Sequence, residues 1–453
     1  MLDLTLIDQY LEAHLSESIA ELTTYSAQPS VSAQNWGIAD CAELVGKMLK
    51  KRGFAVQIIS TGGAPVVFGE IKGRSDKTVL FYNHYDVQPP EPLELWETPP
   101  FEPTVRDGKL FGRGVADDKG DFANRLFVLD ALLAQDKTLP CNIKFVLEGE
   151  EETSSKHMHD FVRDHQDLLA ADVCIWESGG VDEDENPTQT LGFRGICYVQ
   201  LSVETASQDV HSGLGGSIFP NAAWRLVWAL NTLKGPDERV LIPGFYDPVR
   251  PPSPRDMELL EALPDPAGEY RQRYGVKQFL KGLQGGAELR AAAVLEPTCT
   301  ICGLTSGYQG PGSKTVLPAQ ASAKVDFRLV LDQTPQEVFK LLRAHLDAQG
   351  FNDVKAEFLG GESPDRTDPD DPFVKLVVDI AGEVYQRPVQ VSPSSGGSGP
   401  NHVFTQYLHL PIVSAGVGYP GAQIHAPNEN LRLDLYMKGA RHIARILKTF
   451  GEQ

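Results

Sequence analysis

The sequence predicts an α/β fold, a sheet layered by helices, interrupted by a smaller inserted α+β unit. Strand-like and helical runs alternate through the first part of the chain. After Gly195 the pattern shifts to half-buried alternating strands with two helices, and beyond the acidic, Pro-bearing stretch Glu362 to Pro372 the α/β pattern resumes.

The first element, from Leu6 to Tyr25, spaces Leu6, Ile7, Tyr10, Leu11, Leu15, Ile19, Ala20 and Leu22 at helical intervals. A second helix is expected from Ala39 to Lys51, with Gly53 as its stop. Strands follow at Phe54 to Ile59, Pro65 to Glu70, Thr78 to Asn83 and Ile143 to Leu147, the last two separated by a helix from Asp121 to Ala134. In the middle, Tyr198 to Glu204 and Ala321 to Val330 alternate like half-buried strands. Asn221 to Leu233 and Pro335 to Gln349 look helical, and a Pro-rich stretch from Pro251 to Pro266 interrupts them. The last part carries Phe373 to Val384, a Ser/Gly-rich loop from Ser392 to Gly399, a strand from Leu410 to Ala415 and a helix from Leu433 to Phe450.

At 453 residues the chain exceeds one ordinary core and fits two domains. Its 41% hydrophobic and 23% charged residues are typical of globular proteins. The formal charge of −20 repels phosphate backbones and anionic membrane surfaces, so neither nucleic acid nor membrane is expected as a partner. The opening MLDLTLIDQYLEAHL has acidic residues where a signal peptide needs positive ones, and no stretch approaches the apolar length of a membrane span. A cytoplasmic location follows as an expectation. The six cysteines are scattered and expected to be reduced. Cys299 and Cys302 have metal-like spacing but no second pair nearby, so ordinary buried thiols are expected.

Candidate chemistry gathers at strand ends. His84 and Asp86 end an apolar run two residues apart, so their side chains share a face. A ligating imidazole normally gives its other N–H to a carboxylate that fixes its tautomer and orientation, which makes His84 a candidate ligand and the Asp86 carboxylate its support. A structural hydrogen bond would look the same. Gly112-Arg-Gly-Val-Ala-Asp-Asp-Lys-Gly120 sets adjacent carboxylates before a helix, where an N-cap is the plain alternative. An apolar strand runs into Glu148-Gly-Glu-Glu-Glu152, readable also as a solvated acidic loop. Glu177 ends another apolar run, and His425 lies in Ile424-His-Ala-Pro-Asn-Glu429. Open α/β sheets bind ligands at strand ends, and carboxylates buried there without cations would be very costly.

Seven segments together carry a family resemblance over nearly the whole chain: Asn83-His-Tyr-Asp-Val-Gln-Pro89, Trp96-Glu-Thr-Pro-Pro-Phe-Glu-Pro103, the Gly112–Gly120 segment, Glu148-Gly-Glu-Glu-Glu152, Gly192-Phe-Arg-Gly195, Asp209-Val-His-Ser-Gly213 and His425-Ala-Pro-Asn-Glu429. The sequence resembles the di-zinc metallopeptidase and amidohydrolase family of glutamate carboxypeptidase, carnosinase, cytosolic nonspecific dipeptidase, aminoacylase and succinyl-diaminopimelate desuccinylase. Order and spacing look most like the dipeptidase and carnosinase branch, although Thr153-Ser-Ser155 departs from the Ser-Gly-Ser usual there.

The resemblance implies a zinc-peptidase-like catalytic domain with a mixed central sheet, residues 1–197 and 359–453, interrupted by a lid and dimerisation domain, residues 198–358. It implies two Zn2+ per subunit, with Mn2+ or Co2+ as substitutes. Asp117 would bridge them, His84 and Glu177 completing one site and Glu152 and His425 the other, with a cis peptide between Asp117 and Asp118. Glu151 would be the general base. His211 would reach from the lid of a partner subunit to the scissile carbonyl, making a homodimer the active unit. Arg328 would bind the substrate's terminal carboxylate. Gly397 and Ser398 are candidates on a separate ground: Gly396-Gly-Ser-Gly399 is a Gly-rich loop whose backbone can approach a substrate. The implied reaction is hydrolysis of a small peptide or N-acyl amino acid next to a free carboxylate. Glu177, where dipeptidases of this kind tend to carry Asp and carboxypeptidases or deacylases Glu, leaves an N-acyl-amino-acid deacylase as the alternative. A non-catalytic metal-binding assembly protein is the more distant one. A nucleotide-binding α/β enzyme lacks its Gly-x-Gly-x-x-Gly and phosphate-loop Lys.

Overall fold

A computed structural model describes residues 2–453, whose contacts separate them into two units. The first comprises the described residues up to Leu191, Thr367–Ser392 and Val403–Gln453; the second comprises Gly192–Arg366 and Pro393–His402. The divisions fall at 191/192 and 366/367, outward of 197/198 and 358/359, because the strands Gly195–Glu204 and Lys355–Glu362 pair with each other inside the second unit.

The first unit is built on a six-stranded sheet in the order Ala55–Ile59, Val66–Ile71, Asn142–Glu148, Thr78–His84, Val173–Trp176, Ile412–Ser414. The first two pairings are antiparallel and the last three parallel, so the sheet is mixed. Central parallel strands are covered on both faces, which is why Thr78–His84 and Asn142–Glu148 read as continuous apolar runs and are buried at all but their first residue. Val79 and Phe81 pack into the cluster formed with the helices Leu4–Ala27, Ile38–Lys51, Lys119–Gln135, Pro372–Tyr385 and Leu433–Glu452; Leu80 and Tyr82 pack into the opposite cluster with Met158, Phe161 and Phe404. Because Thr78–His84, Asn142–Glu148 and Val173–Trp176 run parallel, their C-terminal ends lie together, with His84 opposite Glu148.

The C-terminal helix holds a titration that bears on stability. His442 is buried and its Nε2 donates to the Val377 carbonyl at 3.0 Å, while burial pushes its pKa down from 6.5 to about 4. A base whose folded pKa is depressed stays neutral in the fold but takes up a proton when unfolded, so its share of stability is present above pH ~6.5 and is lost as pH falls towards ~4. That window corresponds to about 3 kcal/mol. Native protein is expected to lose that much more stability than His442→Gln between pH 7.5 and pH 4, measured by urea unfolding; parallel losses would remove His442 as the cause.

The second unit carries a four-stranded antiparallel sheet in the order Thr298–Ser306, Gln320–Leu329, Gly195–Glu204, Lys355–Glu362. Alternate residues Cys197, Val199, Leu201 and Val203 are buried with Leu226 and Leu342 of the helices Ala222–Asn231 and Pro335–Ala348. The Pro-rich stretch contains a helix, Pro254–Glu261, started by a Ser253/Asp256 capping box with Pro254 in its first turn. Proline there is a start signal, since its missing N–H has no helical partner to lose. The sheet's edge strand Thr298–Ser306, bulged between Ile301 and Gly303, leaves Cys302 exposed and Cys299 buried, which corrects the expectation of two buried thiols. Among the described residues no helix is long and apolar enough to cross a membrane.

Candidate metal centre

His84 ends the central strand, Glu177 directly follows Val173–Trp176, and Asp117 lies in the turn before the helix Lys119–Gln135. Glu152 sits in the single turn Glu151–Thr153 after the strand Asn142–Glu148. His425 comes from a loop and adopts a left-handed backbone, φ 60°. The two oxygens of Asp117 face different imidazoles: Oδ1 is 2.9 Å from His84 Nε2 and Oδ2 is 3.0 Å from His425 Nε2. Glu177 Oε2 stands 3.6 Å from His84 Nε2, and Glu152 Oε2 3.0 Å from His425 Nε2. The ligand-type atoms of Asp117, Glu152 and His425 form one group able to hold an ion; His84, Asp118 and Glu177 form another. The peptide between Asp117 and Asp118 is cis.

His84, Glu152 and the main chain that carries Asp117 and Glu177 are braced. His84 Nδ1 donates to the main-chain carbonyl of Asp86 at 3.0 Å, whereas the Asp86 carboxylate, 3.4 Å away, accepts the amides of Glu151 and Glu152 at 3.2 and 3.1 Å. This corrects the expectation that the Asp86 carboxylate takes the His84 N–H: Asp86 orients the imidazole through its backbone, because its carboxylate is engaged by the Glu151 and Glu152 amides and so holds that turn instead. Three further residues escaped sequence reasoning. Gln88 donates its main-chain amide to Glu152 Oε1 and its side-chain amide to Oε2, at 3.1 and 2.8 Å. Arg125 donates to the carbonyls of Tyr82 and Trp176 at 2.7 and 2.5 Å, tying together the strand ends that carry His84 and Glu177. Glu429 accepts from Arg113 Nη1 at 2.8 Å and from the amides of Gly114, Ala116 and Asp117 at 2.9, 2.9 and 3.1 Å. Gln88 and Glu429 lie inside segments that carried the resemblance, and Arg125 is a cation set in the apolar run of its helix, a signal that points to a buried partner. Ser154, where the family's usual glycine would stand, has φ 78°, a conformation glycine enters more easily.

Carboxylates outnumber cations at this end of the sheet. Hydrogen bonds to Asp117 and Glu152 push His425 up to about 10, and His84 is raised well above its ordinary value by Glu177 and Asp117 against the opposing effect of burial. Burial, reinforced by Glu152, Asp117 and Asp86 and opposed by His84, pushes Glu151 up to about 7. Glu177 Oε2 and Asp118 Oδ1 are buried with no hydrogen-bond partner. Orphaned buried oxygens beside imidazoles, within an all nitrogen and oxygen donor set, fit divalent cations.

His211, Arg328, Gly397 and Ser398 belong to the second unit. His211 Nδ1 accepts from the amide of Gly213 at 3.0 Å, which leaves the proton of the neutral ring on Nε2, 3.3 Å from Thr315 Oγ1. Arg328 Nη1 donates to Ser398 Oγ at 3.1 Å, and the amide of Gly397 donates to Ser395 Oγ at 3.2 Å.

Residues 80–449 match the profile of peptidase family M20/M25/M40. The chain is 30% identical to the Beta-Ala-His dipeptidase of Mus musculus, an alignment covering 98% of this chain and 95% of the mouse protein. Among solved structures, the M20 family metallo-carboxypeptidase Sso-CP2 from Sulfolobus solfataricus superposes with a TM-score of 0.88 at 36% identity, over 96% of this chain and all, 100%, of that one. The dipeptidase Dug1p from Saccharomyces cerevisiae superposes with a TM-score of 0.81 at 25% identity, over 100% and 99% of the two chains. With the profile spanning most of its length, the chain belongs to peptidase family M20/M25/M40 and is a metal-dependent hydrolase of peptide bonds.

Proposed function

We propose that the protein is a dinuclear exopeptidase that cleaves a dipeptide or N-acyl amino acid at the amide next to a free carboxylate. The observation that carries this reading is Asp117, whose two oxygens each address one of two imidazoles, the arrangement of a bridging carboxylate. Asp117 would hold two cations, His84 and Glu177 completing one site, Glu152 and His425 the other. Two Zn2+ suit this imidazole and carboxylate set, and Mn2+ or Co2+ could replace them. When bound, such a pair lowers the pKa of water and acts as a Lewis acid.

The chain's own residues do the rest. The Glu151 carboxylate takes a proton from the attacking water and returns it to the leaving nitrogen. Asp86 fixes both the His84 ring and the turn carrying Glu151. His211, with its proton on Nε2, donates to the developing oxyanion, as His211 of the partner subunit in a homodimer. Support for that dimer comes from an apolar patch on the second unit. There Trp224 and Trp228 stack at 5.9 Å and are more than half exposed, and Leu214 and Ile218 of the same unit are exposed as well. Exposed apolar surface of that kind marks association sites. The buried thiols of five of the six cysteines, all free, accord with a cytoplasmic location.

Arg328 receives the terminal carboxylate in its planar fork, with Ser398 and Gly397 beside it. The Mus musculus relative is a dipeptidase and the Sulfolobus one a carboxypeptidase, and both kinds of enzyme act next to a terminal carboxylate. Glu177 favours tolerance of an extended or acylated amino side. One substrate is therefore expected to be cleaved in its free and N-acetylated forms and to lose about ten- to a hundredfold in kcat/KM on C-terminal amidation, the value of a charge-assisted hydrogen bond. Indifference to amidation removes Arg328 from its role. Failure on the N-acetyl form alone makes the enzyme a strict dipeptidase, and cleavage of the N-acetyl form alone makes it a deacylase.

A further inference from the structure

A second guanidinium lies beside Arg328. Arg194 directly precedes the strand Gly195–Glu204, in which Ile196 is the register partner of Arg328, so both arginines stand at one end of the second unit's sheet. Both reach the same loop: Arg328 Nη1 donates to Ser398 Oγ, and Arg194 donates its main-chain amide to the Ser395 carbonyl and Nη2 to the Gly396 carbonyl, at 3.3 and 3.4 Å. Arg194 Nη1 donates to the Glu296 carbonyl at 3.1 Å, but the Glu296 side chain is paired with Lys281 and leaves Arg194 unneutralised. Arg194 Nε is buried with no hydrogen-bond partner.

The charges here do not balance. Asp326 is the carboxylate facing the pair, 3.4 Å from Arg328 Nε, and its Oδ1 is buried without a hydrogen bond. Two cations share one anion. Burial first, and the charge of Arg328 second, pull Arg194 down to about 10, with Asp326 opposing. Like charges held together in a partly dry site are relieved by an anion, and a planar fork is suited to carboxylate.

We propose that Arg194 and Arg328 form a dicarboxylate subsite, Arg328 taking the terminal carboxylate and Arg194 the side-chain carboxylate of a C-terminal Asp or Glu. This rests on the reading of Arg328 given above, and it makes Arg194 a specificity-determining residue. Each Nη of Arg194 keeps a second N–H beyond its bond to a carbonyl, and these, backed by the unpartnered Nε, are the donors left for the second carboxylate.

The experiment compares kcat/KM for Ala-Glu and Ala-Asp with Ala-Ala and Ala-Leu, using the full metal-loaded chain. Native enzyme is expected to favour the acidic pair by about tenfold or more. Arg194→Gln is expected to erase that preference by slowing the acidic substrates alone. Arg194→Lys, which keeps the charge and loses the fork, is expected to keep part of it and serves if the Gln variant does not fold. No native preference for the acidic pair overturns the proposal. So does an equal loss on all four substrates, the mark of a residue that only clamps the 393–399 loop. Ala-Glu amidated at its terminal carboxylate separates the two arginines: if it is cleaved at the native rate the Arg328 reading fails, while the selective effect of Arg194 on the side-chain carboxylate remains a separate result.

Discussion

Glu151→Gln is expected to lower kcat by about 10²- to 10⁴-fold while metal content stays at its native value. The substitution keeps the shape of the side chain and the main-chain amide that donates to Asp86, so the turn Glu151–Thr153 should hold. It removes only the capacity to accept and return a proton. Glu151 belongs to neither group of ligand-type atoms, so cation binding does not depend on it. Its ordinary pKa would make it a weak base for water, and burial together with neighbouring Glu152, Asp117 and Asp86 pushes it up to about 7, near the pH at which a general base works best. Metal analysis of the purified variant, set beside kcat, is the check. Loss of metal in parallel with activity would make Glu151 a ligand or its support, and near-native kcat would move the base elsewhere.

The division of labour within the acidic run explains how far the sequence could be read. Glu148, Glu150, Glu151 and Glu152 are indistinguishable by composition. Glu148 ends the strand inward and accepts from Tyr82 and Ser155, and burial pushes it up to about 8; Glu150 pairs with His157 at 2.6 Å. Only Glu151 and Glu152 turn towards the imidazoles, because the Asp86 carboxylate captures their two amides. The family resemblance picked out that pair; the physics of an acidic run does not. Strand runs were legible because a doubly covered parallel strand is apolar throughout. The edge strand Thr298–Ser306 was not, since one face and one edge meet solvent and its alternation is broken by a bulge. The helix Pro254–Glu261 is hidden for the opposite reason: a Pro-rich stretch reads as an interruption, whereas Pro254 opens a helix. Braces such as Gln88, Arg125 and Glu429 act across 64, 43 and more than 300 residues of chain, and no local pattern encodes those partnerships.

Glu429→Gln is expected to lower unfolding stability by about 3 to 5 kcal/mol and to weaken cation binding at Asp117. Glu429 is fully buried, and its charge is held there by Arg113 and by three amides of the 114–117 turn. Glutamine presents N–H where one of those donors now points, and it leaves the buried Arg113 guanidinium without its counter-charge. The second loss is the larger, because an uncompensated buried charge carries the full desolvation penalty. Arg113→Met alone should cost a similar amount by stranding the carboxylate. Combining the two should cost less than the sum, since the stranded charge is then gone, yet it should not return to native stability: the amides of Gly114, Ala116 and Asp117 still face a glutamine. The turn they brace carries the carboxylate that addresses both imidazoles, so metal affinity should fall in every variant lacking Glu429, including the double one. Urea unfolding of the four proteins and metal titration by calorimetry provide the readouts. Additive losses would deny the pair its coupling, and a Glu429→Gln protein with native metal affinity would show that the 114–117 turn holds Asp117 without it.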